Sequence, residues 1–175
     1  AWSHTAPAFK GAAHSLYFGG GTPSIAPASA LAEIITRLPI DATSEVTVEV
    51  NPGSIDVSGL VALREAGVNR LSLGVQSFNT EHAMRLGRGH SVKQARNLLT
   101  SVNSLDFTTW SMDLMFGLPG QTLKQLEQDL EQTLAFNPPH VSLYGLTIEP
   151  GTPFAQAEQR GSLHIPDGDQ WRRMY

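Results

Sequence analysis

Strand-like and helix-like segments alternate along this chain of 175 residues, and this alternation constrains the fold more than any other feature. Apolar residues with a period of two predict strands, whereas apolar residues three and four positions apart predict helices. Five strands are predicted in this way, over Ser15–Phe18, Glu45–Val50, Arg70–Val75, Thr109–Phe116 and His140–Leu146. Helical segments separate consecutive strands, which is typical of parallel βα units.

Repeated βα units leave two α/β architectures open, a doubly wound sheet and part of a TIM-like barrel. A length of 175 residues is enough for one domain with a sizeable core. The hydrophobic fraction of 41% is ordinary for a globular protein. In both architectures ligands bind at the carboxyl ends of the strands, so we expect the functional residues at one rim of the sheet.

Two helix starts carry a capping box, in which a Ser or Thr side chain and a Gln three residues later satisfy each other's backbone N–H groups. Ser91 pairs with Gln94 in this way, and Thr122 pairs with Gln125. The helix after Thr122 carries one leucine stripe that is predicted to face the core: Leu123, Leu126, Leu130 and Leu134.

The first predicted strand runs directly into Gly19, Gly20, Gly21 and Thr22. Glycines carry no side chain, so their backbone N–H and C=O groups are free to approach a ligand. The same run also fits a tight βα turn that binds nothing. The glycine loop is therefore a candidate ligand contact whose role depends on what the other strand ends carry.

The next three predicted strands also carry polar side chains at or near their carboxyl ends. Glu49 and Asn51 end the second strand, Gln76 the third, and Asp113 lies in the fourth. Carboxylates and amides suit a ligand with an amine, a ribose diol or a sulfonium better than a bare phosphate. Arg88 follows the third strand and is a candidate partner for a ligand carboxylate.

Structural roles remain open for most of these residues. Glu49 could cap a neighbouring helix, Gln76 could hydrogen-bond buried backbone, and Arg88 could be a surface residue near a helix end. Asp113 lies among apolar neighbours, where a carboxylate is costly without a partner, so a role in a site is favoured.

The formal net charge of −4 indicates neither a nucleic-acid partner nor an anionic membrane surface. No apolar stretch reaches the roughly 18 residues that a membrane span needs. The chain contains no cysteine, which excludes disulfides and thiolate metal ligands within these residues.

Six runs, in this order, resemble the radical S-adenosylmethionine (SAM) superfamily, and within it the family of proteins similar to oxygen-independent coproporphyrinogen III oxidase. The runs are Tyr17–Ser24, Glu49–Gly53, Gly67–Asn79, Leu86–His90, Asp113–Thr122 and Leu146–Phe154. One such run alone is weak evidence for the family, but six runs in the same order are specific to it. Gln76-Ser77-Phe78, Leu86–His90 and Thr147–Thr152 resemble the haem-chaperone branch more than the oxidase branch.

The resemblance implies a partial parallel (β/α) barrel around a [4Fe–4S] cluster and SAM. In this superfamily three cysteines of a C-x-x-x-C-x-x-C loop hold the cluster, and one electron cleaves SAM to methionine and a 5′-deoxyadenosyl radical. The chaperone branch implies haem as a further ligand and apo-haemoproteins as partners, whereas the oxidase branch implies a porphyrinogen substrate. Members are expected in the cytoplasm, or in mitochondria in a eukaryote.

The resemblance also implies roles for individual residues. Gly20, Gly21 and Thr22 would contact the methionyl end of SAM through backbone groups. Glu49 and Gln76 would contact polar atoms of the ribose or the amino-acid part. Arg88 would contact the SAM carboxylate, and Asp113 would contact a hydroxyl or ammonium group.

The chain departs from the family pattern at several places. The cysteine loop and the strand that carries it are missing, so we expect a fragment truncated at both ends. Its expected parts are a remnant over residues 1–14, the radical SAM core over 15–165 and the start of a helix over 166–175. Gly145 replaces a larger polar residue and is expected to alter the pocket. Three hypotheses remain open: a radical SAM protein of the chaperone branch, a haem-delivery protein in which SAM is regulatory, and an inactive fragment.

Overall fold

The structure of the chain, a computed structural model, describes residues 11–87 and 89–175. The strands are β1 (Ser15–Phe18), β2 (Glu45–Val50), β3 (Arg70–Gln76), β4 (Thr109–Phe116) and β5 (His140–Gly145). The α-helices are α1 (Ala28–Arg37), α2 (Val57–Glu65), α3 (Thr80–Arg85), α4 (Val92–Ser104), α5 (Leu123–Ala135), α6 (Pro153–Gln159) and α7 (Gly168–Met174). All five predicted strands are confirmed, with ends that differ by at most one residue from the prediction.

The five strands form one parallel sheet in the order β1-β2-β3-β4-β5. A doubly wound sheet reverses its strand order at a switch point, whereas a (β/α) barrel adds each strand beside the previous one. Sequential order therefore decides between the two architectures that the residue periodicity left open. The fold is an arc of a parallel (β/α) barrel, which confirms the partial barrel that the resemblance implied.

The hydrophobic core lies between one face of this arc and the helices. Alternate residues of the central strands are buried there, among them Val48, Leu71 and Met112, which are 0% exposed. Helix residues such as Leu60 and Leu99 complete the same cluster. The register places Val48 opposite Leu71 and Leu73 opposite Met112, so these side chains form continuous rows across the sheet. The apolar side chains of these rows thus face the helices.

Both predicted capping boxes are confirmed at the starts of α4 and α5. The predicted leucine stripe on α5 is wrong in part. Leu126 is buried, but Leu123 is 40% exposed and Leu134 is 70% exposed. The buried face of α5 instead includes Asp129 and Thr133, because the helix packs against a polar loop as well as against the core.

The two short helices near the end of the chain are each capped by a polar side chain. The Thr152 side chain accepts from the Ala155 N–H at the start of α6, which the sequence analysis did not predict. The predicted helix over 166–175 is present as α7, and Asp167 caps it. Most of the predicted remnant over 1–14 lies outside the described residues.

A candidate S-adenosylmethionine site at the strand ends

The face of the sheet opposite the helices is polar. Strand residues that alternate with the buried apolar ones point to this side, and the register brings them into rows. Glu49 lies opposite Ser72, Ser72 opposite Ser111, and Asp113 opposite Ser142. A closed barrel normally fills this space with packed apolar side chains. Here the inner face offers hydrogen-bonding groups instead.

Glu49 anchors the glycine loop. One carboxylate oxygen accepts from the Tyr17 hydroxyl at 3.0 Å, and the other accepts from the Gly20 N–H at 3.0 Å. A Cβ on Gly19 would lie 2.8 Å from the Tyr17 ring and 3.0 Å from Glu49 Oε1, so only glycine fits beside this pair. Glu49 therefore holds the loop rather than capping a helix, which was the structural alternative.

The glycines that follow are shaped for close approach by another molecule. Gly20 and Gly21 have φ angles of +88° and +62°, which favour glycine. A Cβ on either would meet nothing within 4 Å. Next to them, the Thr22 hydroxyl accepts from the Asn51 side-chain amide at 3.1 Å, which ties the loop to the end of β2. The loop thus presents bare backbone in a fixed position.

Asp113 brings a carboxylate oxygen without a partner to the same place. Its Oδ2 accepts from the Ser72 hydroxyl at 2.7 Å. Its Oδ1 is buried and has no hydrogen-bond partner in the part of the chain that the structure describes. Burial raises the pKa of Asp113, although its interactions with the hydroxyls of Ser72 and Ser142 oppose that shift. An unpartnered buried oxygen of this kind is costly unless a ligand donates to it.

Gln76 reaches the site from an unusual backbone conformation. It is 7% exposed and has a φ of +70°, which few residues other than glycine adopt. A Cβ on Gly74 would lie 2.8 Å from Asn51 Oδ1 and 3.1 Å from Gln76 Nε2. The absence of a side chain at Gly74 thus lets two amides approach each other over the strand.

These groups line one pocket of about 380 Å³, a size within the range of small-molecule sites. Its lining residues are Gly21, Glu49, Val50, Asn51, Ser72, Gly74, Gln76, Asp113, Met115 and Tyr144. An adjoining hollow of about 340 Å³ shares Gly21 and Asn51 with it and includes Thr22. A larger hollow of about 640 Å³ lies between α2 and α4 and includes Gly53 and Ser54 of the loop after β2.

The pocket unites most of the residues that the sequence analysis selected. Gly21, Glu49, Gln76 and Asp113 line it, and Gly20 and Thr22 are hydrogen-bonded to its wall. Arg88 lies outside the described residues.

Ser72 is the contact that sequence reasoning missed, because it lies within β3 rather than at its end. Its position on the same face as the selected residues, two strand positions before Gly74, was the available signal.

The pocket fits SAM in size and in chemistry. Its carboxylate and amide oxygens can accept from an ammonium group and from ribose hydroxyls, and the bare loop backbone can pair with a carboxylate. The iron–sulfur cluster has no thiolate ligand here, because none of the 175 residues is a cysteine. No helix within residues 11–87 and 89–175 is long and apolar enough to cross a membrane.

The chain is similar in sequence to curated proteins over most of its length. The chain is 42% identical to the haem chaperone HemW of Escherichia coli over 144 residues, which are 80% of this chain and 38% of that protein. It is 41% identical to the mouse mitochondrial radical S-adenosyl methionine domain-containing protein 1 over 165 residues, 92% of this chain and 37% of that protein. The chain spans about two fifths of the length of the curated relatives it matches.

The solved structure of Escherichia coli coproporphyrinogen III oxidase, HemN, described as a radical SAM enzyme, superposes with a TM-score of 0.81 at 30% identity. The match covers 98% of this chain and 41% of that one. The family model of the radical SAM superfamily matches residues 4–133, which include the glycine loop and strands β1 to β4. The chain belongs to the radical SAM superfamily.

Proposed function

We propose that this chain forms the SAM-binding core of a haem chaperone. The observation that carries the proposal is the convergence of the glycine loop, Glu49, Gln76 and Asp113 on one pocket. This pocket contains a buried carboxylate oxygen that has no hydrogen-bond partner among the described residues. The relatives named as haem chaperones support the second half of the proposal. In this superfamily SAM and a reduced iron–sulfur cluster together supply hydrogen-atom abstraction.

The positions of the described residues suggest a role for each of them, and the resemblance to the family suggests one for Arg88. The N–H and C=O groups of Gly21 bind the methionyl end, while Glu49 holds the loop in place through Gly20. Asp113 Oδ1 accepts from a hydroxyl or ammonium group of the ligand. The Gln76 amide pairs with ribose or amino-acid atoms, and Arg88 is proposed as the partner of the SAM carboxylate. The apolar core behind the sheet keeps these groups rigid.

Titration calorimetry with SAM tests the binding half. Asp113→Asn removes the charge that accepts from the ligand, and hydrogen bonds to charged groups contribute about 1.5–3 kcal/mol. We therefore expect SAM affinity to fall about 10- to 100-fold. Asp106→Asn, at an exposed aspartate outside the pocket, is the matched control and should bind as the unmodified chain does. Equal affinities for all three proteins, or no SAM binding at all, would refute the assignment.

Haem binding tests the chaperone half. Haem titration followed by absorbance should saturate at micromolar concentrations, and bound haem should pass to an apo-haemoprotein. The natural location is then the cytoplasm of a bacterium, or the mitochondrion of a eukaryote, as the mouse relative's name suggests. Absence of haem binding by the whole natural protein would refute the chaperone function while leaving the SAM site intact.

The structural likeness to coproporphyrinogen III oxidase supports a second candidate, oxidative decarboxylation of a porphyrinogen. The two functions differ in a product that can be measured. The oxidase, supplied with its cluster, SAM and a reductant, should release carbon dioxide from coproporphyrinogen III. A chaperone should bind haem and should release no carbon dioxide from coproporphyrinogen III.

A further inference from the structure

Helix α5 contributes a buried carboxylate that the proposed SAM contacts do not use. Asp129 is 1% exposed and lies on the inward face of α5 beside Leu126. It accepts two hydrogen bonds from the loop after β3: from the Ser77 hydroxyl at 2.6 Å and from the Phe78 N–H at 2.8 Å. Burial raises the pKa of Asp129, and these two hydrogen bonds oppose the shift. A carboxylate in this position is costly to bury, and these two hydrogen bonds offset part of that cost.

The loop that Asp129 holds begins with a strained turn. The Ser77 N–H donates to the Val75 carbonyl at 2.9 Å, which encloses Gln76 between the two partners. This bond and the φ of +70° at Gln76 are those of a γ-turn with positive φ, a rare and strained conformation. Such a residue persists only when its surroundings hold it in place.

The turn also interrupts the sheet. Between Leu73 and Gln76 the pairing of β3 with β4 shifts register, so that Gln76 lies opposite Leu114. Leu73 and Val75 face the helices, so the alternation of the strand places the Gln76 side chain on the polar face. There the Gln76 side chain lines the pocket, and the turn determines its direction. The Ser77 hydroxyl accepts in addition from the Asn79 N–H at 3.0 Å, so the segment after Gln76 is bound on both sides.

We propose that Asp129 is a positioning residue for the SAM site, which from the helix layer holds Gln76 in the γ-turn that presents its amide to the pocket. This inference rests on the proposed SAM-binding function. Asp129 does not line the pocket, so it acts on the ligand only through the loop. Asp129 accepts hydrogen bonds from Ser77 and Phe78, the two residues directly after Gln76. These bonds oppose relaxation of the γ-turn at Gln76.

A double-mutant cycle on SAM affinity tests the role. Asp129→Ala should lower SAM affinity about tenfold in the unmodified background and less than twofold in the Gln76→Ala background, because the effect passes through Gln76. Asp129→Asn keeps an oxygen for the Phe78 N–H and an amide for the Ser77 hydroxyl, so it should bind within about threefold of the unmodified chain. Equal losses for Asp129→Ala in both backgrounds would overturn the proposal.

Thr133→Val is the matched control for stability. Thr133 is 0% exposed on the same face of α5, and its hydroxyl donates to the Asp129 carbonyl at 2.8 Å. This variant should lower Tm without changing SAM affinity. If Asp129→Ala fails to fold, Ser77→Ala removes one of the two bonds and should give a smaller loss of affinity that also vanishes in the Gln76→Ala background. An unchanged affinity for Ser77→Ala and Asp129→Ala alike would also overturn the role.

A measurement without ligand separates this proposal from the proposed function. The backbone chemical shifts of Gln76 report its φ in the SAM-free chain. They should move toward values for negative φ in Asp129→Ala and stay unchanged in Thr133→Val. If the shifts move but the unmodified chain does not bind SAM, the positioning holds and the SAM function fails. If the chain binds SAM and the shifts stay fixed, the positioning fails.

Discussion

Asp113 should destabilise the fold at neutral pH, and its replacement by Asn should stabilise it. The Oδ1 oxygen of Asp113 is buried without a partner among the described residues, and such a group costs about 1–3 kcal/mol. Ser72 satisfies the other oxygen, and the residue as a whole is only partly buried. We therefore expect the lower end of that range, about 1 kcal/mol, as the gain in the free energy of unfolding for Asp113→Asn at pH 8.

The pH dependence identifies the cause. Burial raises the pKa of Asp113 above its ordinary value of 3.8, so the folded state binds the proton more tightly than the unfolded state. The stability linked to this proton is fully present below pH 3.8 and is lost as pH rises through the raised pKa. Asn carries no titrating proton, so the advantage of Asp113→Asn should be near zero in acid and should grow toward neutral pH.

Thermal unfolding between pH 4 and pH 8 measures this difference. A gain of about 1 kcal/mol corresponds to a rise in Tm of about 2–4 °C for a chain of this size. Asp106→Asn, at an exposed aspartate, should show no pH-dependent gain. A Tm difference for Asp113→Asn that is constant over this range, or a loss at pH 8, would refute the assignment of an uncompensated buried carboxylate.

Three further substitutions test other parts of the structure. Gly21→Ala puts a side chain on a residue with a φ of +62°, so it should lower the free energy of unfolding by about 1 kcal/mol in urea titrations and weaken SAM binding in calorimetry. Gly145→Val places a Cβ 2.5 Å from the Trp171 ring, so the indole should leave its position and its fluorescence should shift to longer wavelength; an unchanged spectrum would contradict the packing. Thr122→Ala removes the cap of α5 and should cost about 0.5–2 kcal/mol, whereas Thr100→Ala, on an exposed turn of α4, should cost less in the same urea titrations.

Strands and helix starts could be predicted because they depend on neighbouring residues. The alternation in Glu45–Val50 and the box formed by Ser91 and Gln94 are local, and the structure confirms both. The choice of a barrel arc over a doubly wound sheet could not be made in this way. It depends on which strands are adjacent, and no short segment of sequence carries that information.

The site shows the same division. Gly21 and Glu49 could be selected because they end predicted strands or follow them, and both line the pocket. The positive φ of Gln76 could not be foreseen, because glutamine has no preference for it and a distant helix residue supports the turn. Asp129 could not be predicted for a related reason. The leucines of α5 indicated an apolar buried face, whereas the buried face also contains the Asp129 carboxylate.

Gly145 illustrates how a local expectation fails when a distant segment intervenes. We expected the small residue to alter the pocket, but it lies in the row of strand positions that face the helices, opposite Phe116. The Trp171 indole of α7 packs against that row, with ring centroids of Phe116 and Trp171 4.7 Å apart. The glycine therefore makes room for a helix and not for a ligand.

The sequential order of the strands has a consequence for how the chain folds. Each strand pairs only with the strands before and after it in sequence, so no pairing has to wait for a distant part of the chain. Loop closure then costs little entropy at each step, and the sheet can grow one unit at a time from the amino-terminal end during synthesis. A substitution that slows the formation of β2 should accordingly delay the pairings of β2 with β1 and β3, whereas one in β5 should leave the first three pairings free to form.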